Sequence, residues 1–95
     1  MSSFLSNSAT VVAGKDQVWR ELDGEAIVLN LETGVYYGLD PVGARIWSLL
    51  QEPIRVEQIC QKLLDEYDVE RTACQEDLLA LLKGMADSGL IQVTV

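Results

Sequence analysis

Two cysteines, fifteen carboxylates, three tyrosines and two tryptophans are the side chains of this 95-residue chain that could carry chemistry, and histidine is absent. Without histidine the chain lacks the commonest general base and the commonest metal ligand. A zinc site would need four Cys, Asp or Glu ligands, and no local cluster offers them. Cys60 and Cys74 are widely spaced and form no C-x-x-C pair, so in a reducing compartment they read as small apolar fillers. A redox role for Cys74 finds in the sequence neither a partner nor a basic neighbour that would lower its pKa. A catalytic carboxylate pair needs a cleft to shift one pKa, whereas most of these carboxylates fall at polar helix positions and read as a solvated face. No G-x-S-x-G, P-loop or G-x-G-x-x-G occurs, which leaves nucleophile-elbow and phosphate-cradle chemistry without a seat. The expectation is a non-catalytic chain with no metal and no cofactor.

The bulk composition narrows the partners. A hydrophobic fraction of 48% suits one packed domain and argues against general disorder. A net charge of −8 with only seven scattered Lys and Arg speaks against nucleic acid and against an anionic membrane surface. No apolar run approaches the roughly 20 residues that span a bilayer. The opening Met1 to Ser8 lacks the basic and apolar blocks of a secretory signal, so a cytoplasmic location is expected.

The elements that must position any site divide near Leu39-Asp40. Residues 1–13 are small, polar and weakly patterned, and are expected to form a flexible arm or a loosely attached strand, with the domain proper over 14–95. Val18 to Leu22, then Asp23-Gly24, then Glu25 to Leu31 predicts a hairpin closed by a strong two-residue turn. Glu32-Thr33-Gly34 makes a second turn, and Val35, Tyr36 and Tyr37 have the character of a third short strand. This meander should leave an unpaired outer edge.

The helical half opens at Asp40-Pro41, an N-cap followed by a residue pre-organised for the first helical position. Pro53 separates this helix from a second over Val56 to Glu66. Thr72 and Gln75 fit a capping box for a third helix, and Gly89 fits the left-handed position after its end. Leu90 to Val95 alternates as a short terminal strand. Along the third helix Leu78, Leu79, Leu81, Leu82, Met85 and Ala86 spread over roughly 160° of arc, more than the stripe of about 100° that seats a surface helix on a core. Such a helix is either covered on both sides or touches the core on one flank and another strand, subunit or peptide on the other.

The run Leu29-Asn30-Leu31-Glu32-Thr33-Gly34-Val35-Tyr36-Tyr37-Gly38-Leu39-Asp40, then Val42-Gly43-Ala44-Arg45-Ile46-Trp47, resembles the PqqD-like family. Val56-x-x-Ile59-x-x-x-Leu63-x-x-x-Tyr67-x-Val69 and Asp77-Leu78-x-x-Leu81-Leu82-x-x-Met85-x-x-x-Gly89-Leu90-Ile91 extend the likeness over roughly Val18 to Ile91. The resemblance implies an α+β, winged-helix-like domain: a three-stranded antiparallel sheet packed on three helices. It further implies that the leader of a ribosomally made precursor peptide adds as a strand to the third strand of the meander, beside the third helix. Val35, Tyr36 and Tyr37 would form the strand wall, and Cys74, Asp77, Leu78 and Leu81 the helix wall. Within the family the chain looks most like the recognition subunit of lasso-peptide biosynthesis, which presents the leader to a separate cysteine-protease-like peptidase ahead of a cyclase. Service to a pyrroloquinoline-quinone or other radical-enzyme pathway is the alternative.

Trp47 and Tyr67 fall on helix core stripes and read as packing residues, Trp19 as cover for one sheet face, and Asp77 as a solvent charge or a partner for a basic leader residue. A winged-helix DNA regulator is the rival of another class, but the third helix carries only Lys83 after Arg71 at its start. Self-association through the same groove is a further rival.

Overall fold

A computed structural model describes residues 5–94. The parts of the expected arm and terminal strand at residues 1–4 and 95 lie outside the described residues. Two three-stranded antiparallel sheets and three helices make the α+β fold.

The first sheet to form from local signals is β2 (Gln17–Leu22), β3 (Glu25–Asn30) and β4 (Tyr36–Leu39), in that order. Asp23 and Gly24 both hold positive φ, 54° and 82°, the signature of the tight turn whose twist matches paired strands. At the other end Asn30 organises the turn: its Oδ1 accepts from Glu32 and Thr33 N–H at 2.9 and 3.3 Å, and its backbone N–H donates to Val35 O at 3.0 Å. The third strand of the meander extends beyond Tyr37, because Gly38 and Leu39 continue the ladder opposite Ile27 and Ala26.

The three helices are α1 (Pro41–Leu49), α2 (Val56–Glu66) and α3 (Arg71–Asp87). Asp40 caps α1 as expected, its Oδ1 accepting from Gly43 N–H at 2.7 Å. At the end of α3, Gly89 has φ 76°. Leu90 N–H bonds Met85 O and Gly89 N–H bonds Ala86 O, the paired closure that left-handed glycine permits. The capping box expected from Thr72 and Gln75 does not form. The helix starts earlier, at Arg71, where Glu70 O already accepts from Cys74 N–H at 2.9 Å and no side chain caps the end.

The segment before Gly14, expected as a flexible or loosely attached arm, is built into the interior. β1 (Thr10–Ala13) lies between β5 (Ile54–Arg55) and β6 (Ile91–Thr94) and pairs with both. Val11 and Ala9 are fully buried. Just upstream, Ala9 O and Asn7 O accept from Val56 and Glu57 N–H at 3.0 Å each, satisfying donors that every helix start leaves over. The N-terminal segment thus caps α2, whose own N-cap, Arg55, has no side-chain acceptor to offer. Gln17 bridges the two sheets, its Nε2 donating to Gly14 O and Leu90 O at 2.9 and 2.8 Å.

The core gathers Trp47, Leu50, Val56, Ile59, Leu78, Leu82 and Leu90 from all three helices and both sheets. Trp19 meets Trp47 edge-on, ring centroids 6.4 Å apart. No helix among the described residues is long and apolar enough to cross a membrane.

Candidate functional site

A trough runs between β4 and α3. β4 is the last strand of its sheet, so one side of its backbone has no strand partner. The Asn30–Val35 hydrogen bond fixes which groups these are. Antiparallel pairs alternate between bonded and non-bonded, so Val35, Tyr37 and Leu39 bond inward to β3. The N–H and C=O of Tyr36 and Gly38 point outward.

One end of the trough is a cleft of about 470 Å³ between Tyr36–Leu39 and the α3 residues Ala80, Leu81, Gly84, Met85 and Ser88. It shares Gly38, Leu39 and Leu81 with a deeper cleft of about 560 Å³, walled by Val42 and Ile46 of α1, Leu63 and Tyr67 of α2, Val69, and Ala73, Cys74, Asp77 and Leu78 of α3. The shared residues make the two clefts one continuous path. Its lining is mostly apolar, with Asp40 and Asp77 supplying the charge, both negative.

The small residues on α3 matter here. Gly84 sits mid-helix, where glycine costs roughly 0.5–1 kcal/mol relative to alanine, and a Cβ at this position would meet nothing within 4 Å. Packing within the chain therefore gives no reason for a glycine. Close approach of another backbone does. Ala80 and Ala73 continue the low wall along the same side of the helix.

Of the residues expected at the site, Tyr36, Tyr37, Cys74, Asp77, Leu78 and Leu81 all line the trough. Val35 stands just before β4, 45% exposed, and lines neither cleft. The strand register separates the two tyrosines. Tyr37 lies opposite the buried Val28 and is half-buried, whereas Tyr36 lies opposite Leu29 on the other face and is 69% exposed. Leu78 is only 2% exposed, so it is a floor of the core that the trough touches. Asp77 and Leu81 are the accessible part of the helix wall.

Sequence reasoning did not find Leu39, Val42, Tyr67, Val69, Ala80 or Gly84. Tyr67 was assigned to a core stripe, but it is the C-cap of α2 with extended backbone, which swings its ring out over the cleft at 36% exposure. The available signal was the pair Tyr67 and Val69 flanking Asp68 in a turn, where large apolar side chains have no core to serve.

Cys74 closes the cleft floor with a neighbour the sequence did not disclose. Cys60 Sγ donates to Cys74 Sγ at 3.7 Å, and both thiols are free and buried. Burial first, then the contact with Cys60 and the nearby Asp77 charge, push the Cys74 thiol up to about 11. It is therefore a protonated, unreactive wall element at neutral pH. Among the described residues no group of three or more Cys, Asp or Glu is placed to hold a metal ion.

Two solved structures share this architecture. TbiB1 in complex with the TbiA(beta) leader peptide is 40% identical, with a TM-score of 0.80 over 85% of this chain and 94% of that one. A lasso peptide synthetase B1 complexed with the leader peptide is 24% identical, with a TM-score of 0.76 over 86% of this chain and 96% of that one, and supports the fold. No curated protein sequence matches significantly. The family model for coenzyme PQQ synthesis protein D (PqqD) matches residues 25–91, spanning the meander, all three helices and the trough between them. The chain belongs to the PqqD family.

Proposed function

We propose that this chain binds the leader segment of a ribosomally made precursor peptide, of the lasso-peptide class, as an added strand on β4 along the trough. The carrying observation is the conjunction of an unpaired strand edge at Tyr36 and Gly38 with an apolar, small-residue helix wall alongside it. Backbone hydrogen bonds to the edge supply register, and alternate leader side chains enter the clefts for selectivity. A leader disordered in solution loses ordering entropy on binding, which keeps affinity moderate and release feasible. Asp77 and Asp40 favour a leader with a basic residue near the deeper cleft. The likeness to TbiB1, solved with a leader peptide, supports this reading.

A separate leader peptidase of the cysteine-protease type, followed by a cyclase, would act on the presented peptide. The family description favours a second pathway, coenzyme PQQ synthesis, in which the same trough would serve a different precursor. The chain itself is proposed to be non-catalytic and to work in the cytoplasm.

The test is fluorescence polarisation with labelled leader segments of precursor peptides encoded beside the chain's gene. Saturable binding at micromolar or lower concentration is expected. Gly38→Pro removes an outward N–H that has no partner in the free chain, on an edge strand where proline is tolerated. Binding should weaken about tenfold, the scale of one net hydrogen bond. Gly38→Ala, whose Cβ meets nothing within 4 Å, should bind as the parent does. No saturable binding by the folded chain to any leader would overturn the reading.

A further inference from the structure

The face of the β2–β3–β4 sheet turned away from the helices is apolar where an antiparallel sheet usually shows water a polar face. Its cross-strand pairs build a continuous apolar rung, Val18 opposite Leu29 opposite Tyr36, beside the rung Arg20, Ile27 and Gly38. Leu22 extends the patch. Val18 is 52% exposed, Leu22 63%, Ile27 49% and Tyr36 69%. Nothing among the described residues packs on this face. Contiguous exposed apolar surface of this kind marks an interaction site.

Charge and continuity indicate the occupant. Glu21, Asp23 and Glu25 stand at one end of the patch and Glu32 at the other, against the single basic Arg20 on the face. None of these carboxylates takes part in an ion pair among the described residues. A second copy would bring another net −8 against this rim, which opposes self-association. A partner with an apolar patch ringed by Lys and Arg is complementary. The face is also continuous with β4. A strand added there would place every second side chain on this same surface, next to Tyr36 and Gly38.

We propose that this face docks the enzyme that removes the leader, and that the enzyme reads the sheet together with the outward side chains of the bound leader strand. The inference rests on the leader-binding reading above. It makes docking conditional: the leader widens the surface by one strand, so the enzyme engages the loaded chain in preference to the empty one.

The experiment uses the purified peptidase of the pathway, its full-length precursor peptide, and the double variant Val18→Glu/Ile27→Glu. Both positions are exposed, and an unchanged thermal midpoint would verify the fold. Leader affinity should stay within twofold of the parent, while the initial rate of leader removal falls at least tenfold. Peptidase captured on immobilised chain should rise severalfold when the leader is present. Undiminished cleavage by the variant with normal leader binding would overturn this proposal alone. A parent chain that binds no leader would overturn both readings. A concentration-dependent dimer in sedimentation, abolished in the variant, would assign the face to a second copy and overturn the docking proposal.

Discussion

The two sheets of this small domain are built to opposite specifications. In the β5–β1–β6 sheet the central strand is paired on both sides and its Val11 is fully buried, although the strands are only two to four residues long. The β2–β3–β4 sheet has longer strands but keeps one edge and one face open. Strand length is therefore a poor guide to which sheet holds the molecule together. The short sheet ties the chain's early residues to its last ones and caps α2. The long sheet is held by its inner face alone, and its open edge lies along the trough. In a domain of this size stability and recognition compete for the same few apolar side chains, and here they are allotted to different sheets.

The widest gap between the sheets should come from introducing a charge. Val11→Asp puts a carboxylate where no water reaches and should abolish the native fold, a loss above about 4 kcal/mol. Leu22→Asp, on the open face, should move the urea midpoint by no more than about 0.5 kcal/mol of stability. Equal losses at the two positions would break the contrast. Next in size is the joint between the open sheet and the helices. Asn30 is the one buried polar side chain among the described residues, and its Nδ2 lies 3.4 Å from Ser88 O at the end of α3. Asn30→Leu strips the acceptor from two turn N–H groups and should cost about 1–3 kcal/mol in urea unfolding.

Smaller effects sharpen the comparison by separating stability from binding. Gly84→Ala should raise stability by roughly 0.5–1 kcal/mol, while the added methyl raises the helix wall and weakens leader binding in the polarisation assay. A gain in both would mean that no backbone approaches there. Cys74 gives the mildest signal. Its thiol is held above the ordinary 9.0, at about 11 in the folded chain, so the folded state retains a proton that the unfolded state has lost. The contribution is complete below pH 9 and declines as pH rises toward 11. Urea midpoints followed from pH 8 to 11 should fall more steeply for the parent than for Cys74→Ala. Alkylation of both cysteines should be slow until urea unfolds the chain.

What was legible in the sequence was what is local in the chain. Asp40-Pro41, Asp23-Gly24 and Gly89 each act within a few residues of themselves, and each marks its boundary where the sequence analysis placed it. The bounds of α2, Val56 and Glu66, follow from an apolar stripe read within one helix. β1 was misjudged for the opposite reason: Thr10–Ala13 becomes a strand through partners near residues 54 and 91–94, and nothing in four small residues announces a pairing so distant. The start of α3 was placed late because Glu70 begins the helix with its backbone carbonyl, which leaves no side-chain signature. The trough was half legible. Its strand and helix walls came from family resemblance and a wide apolar arc, but Tyr67 and Gly84 acquire their roles only when three helices and a strand edge converge. The contact of Cys60 with Cys74 likewise needs α2 laid against α3.

The pairing of Thr10 with Thr94 means that the described chain enters and leaves the domain side by side, in a sheet separate from the one bearing the trough. Domains whose ends meet in this way tolerate insertion and circular permutation. This architecture can thus be spliced into a larger polypeptide, or tethered to a processing enzyme by a short linker, while the trough stays open. Such a tether would replace diffusional encounter with a fixed effective concentration.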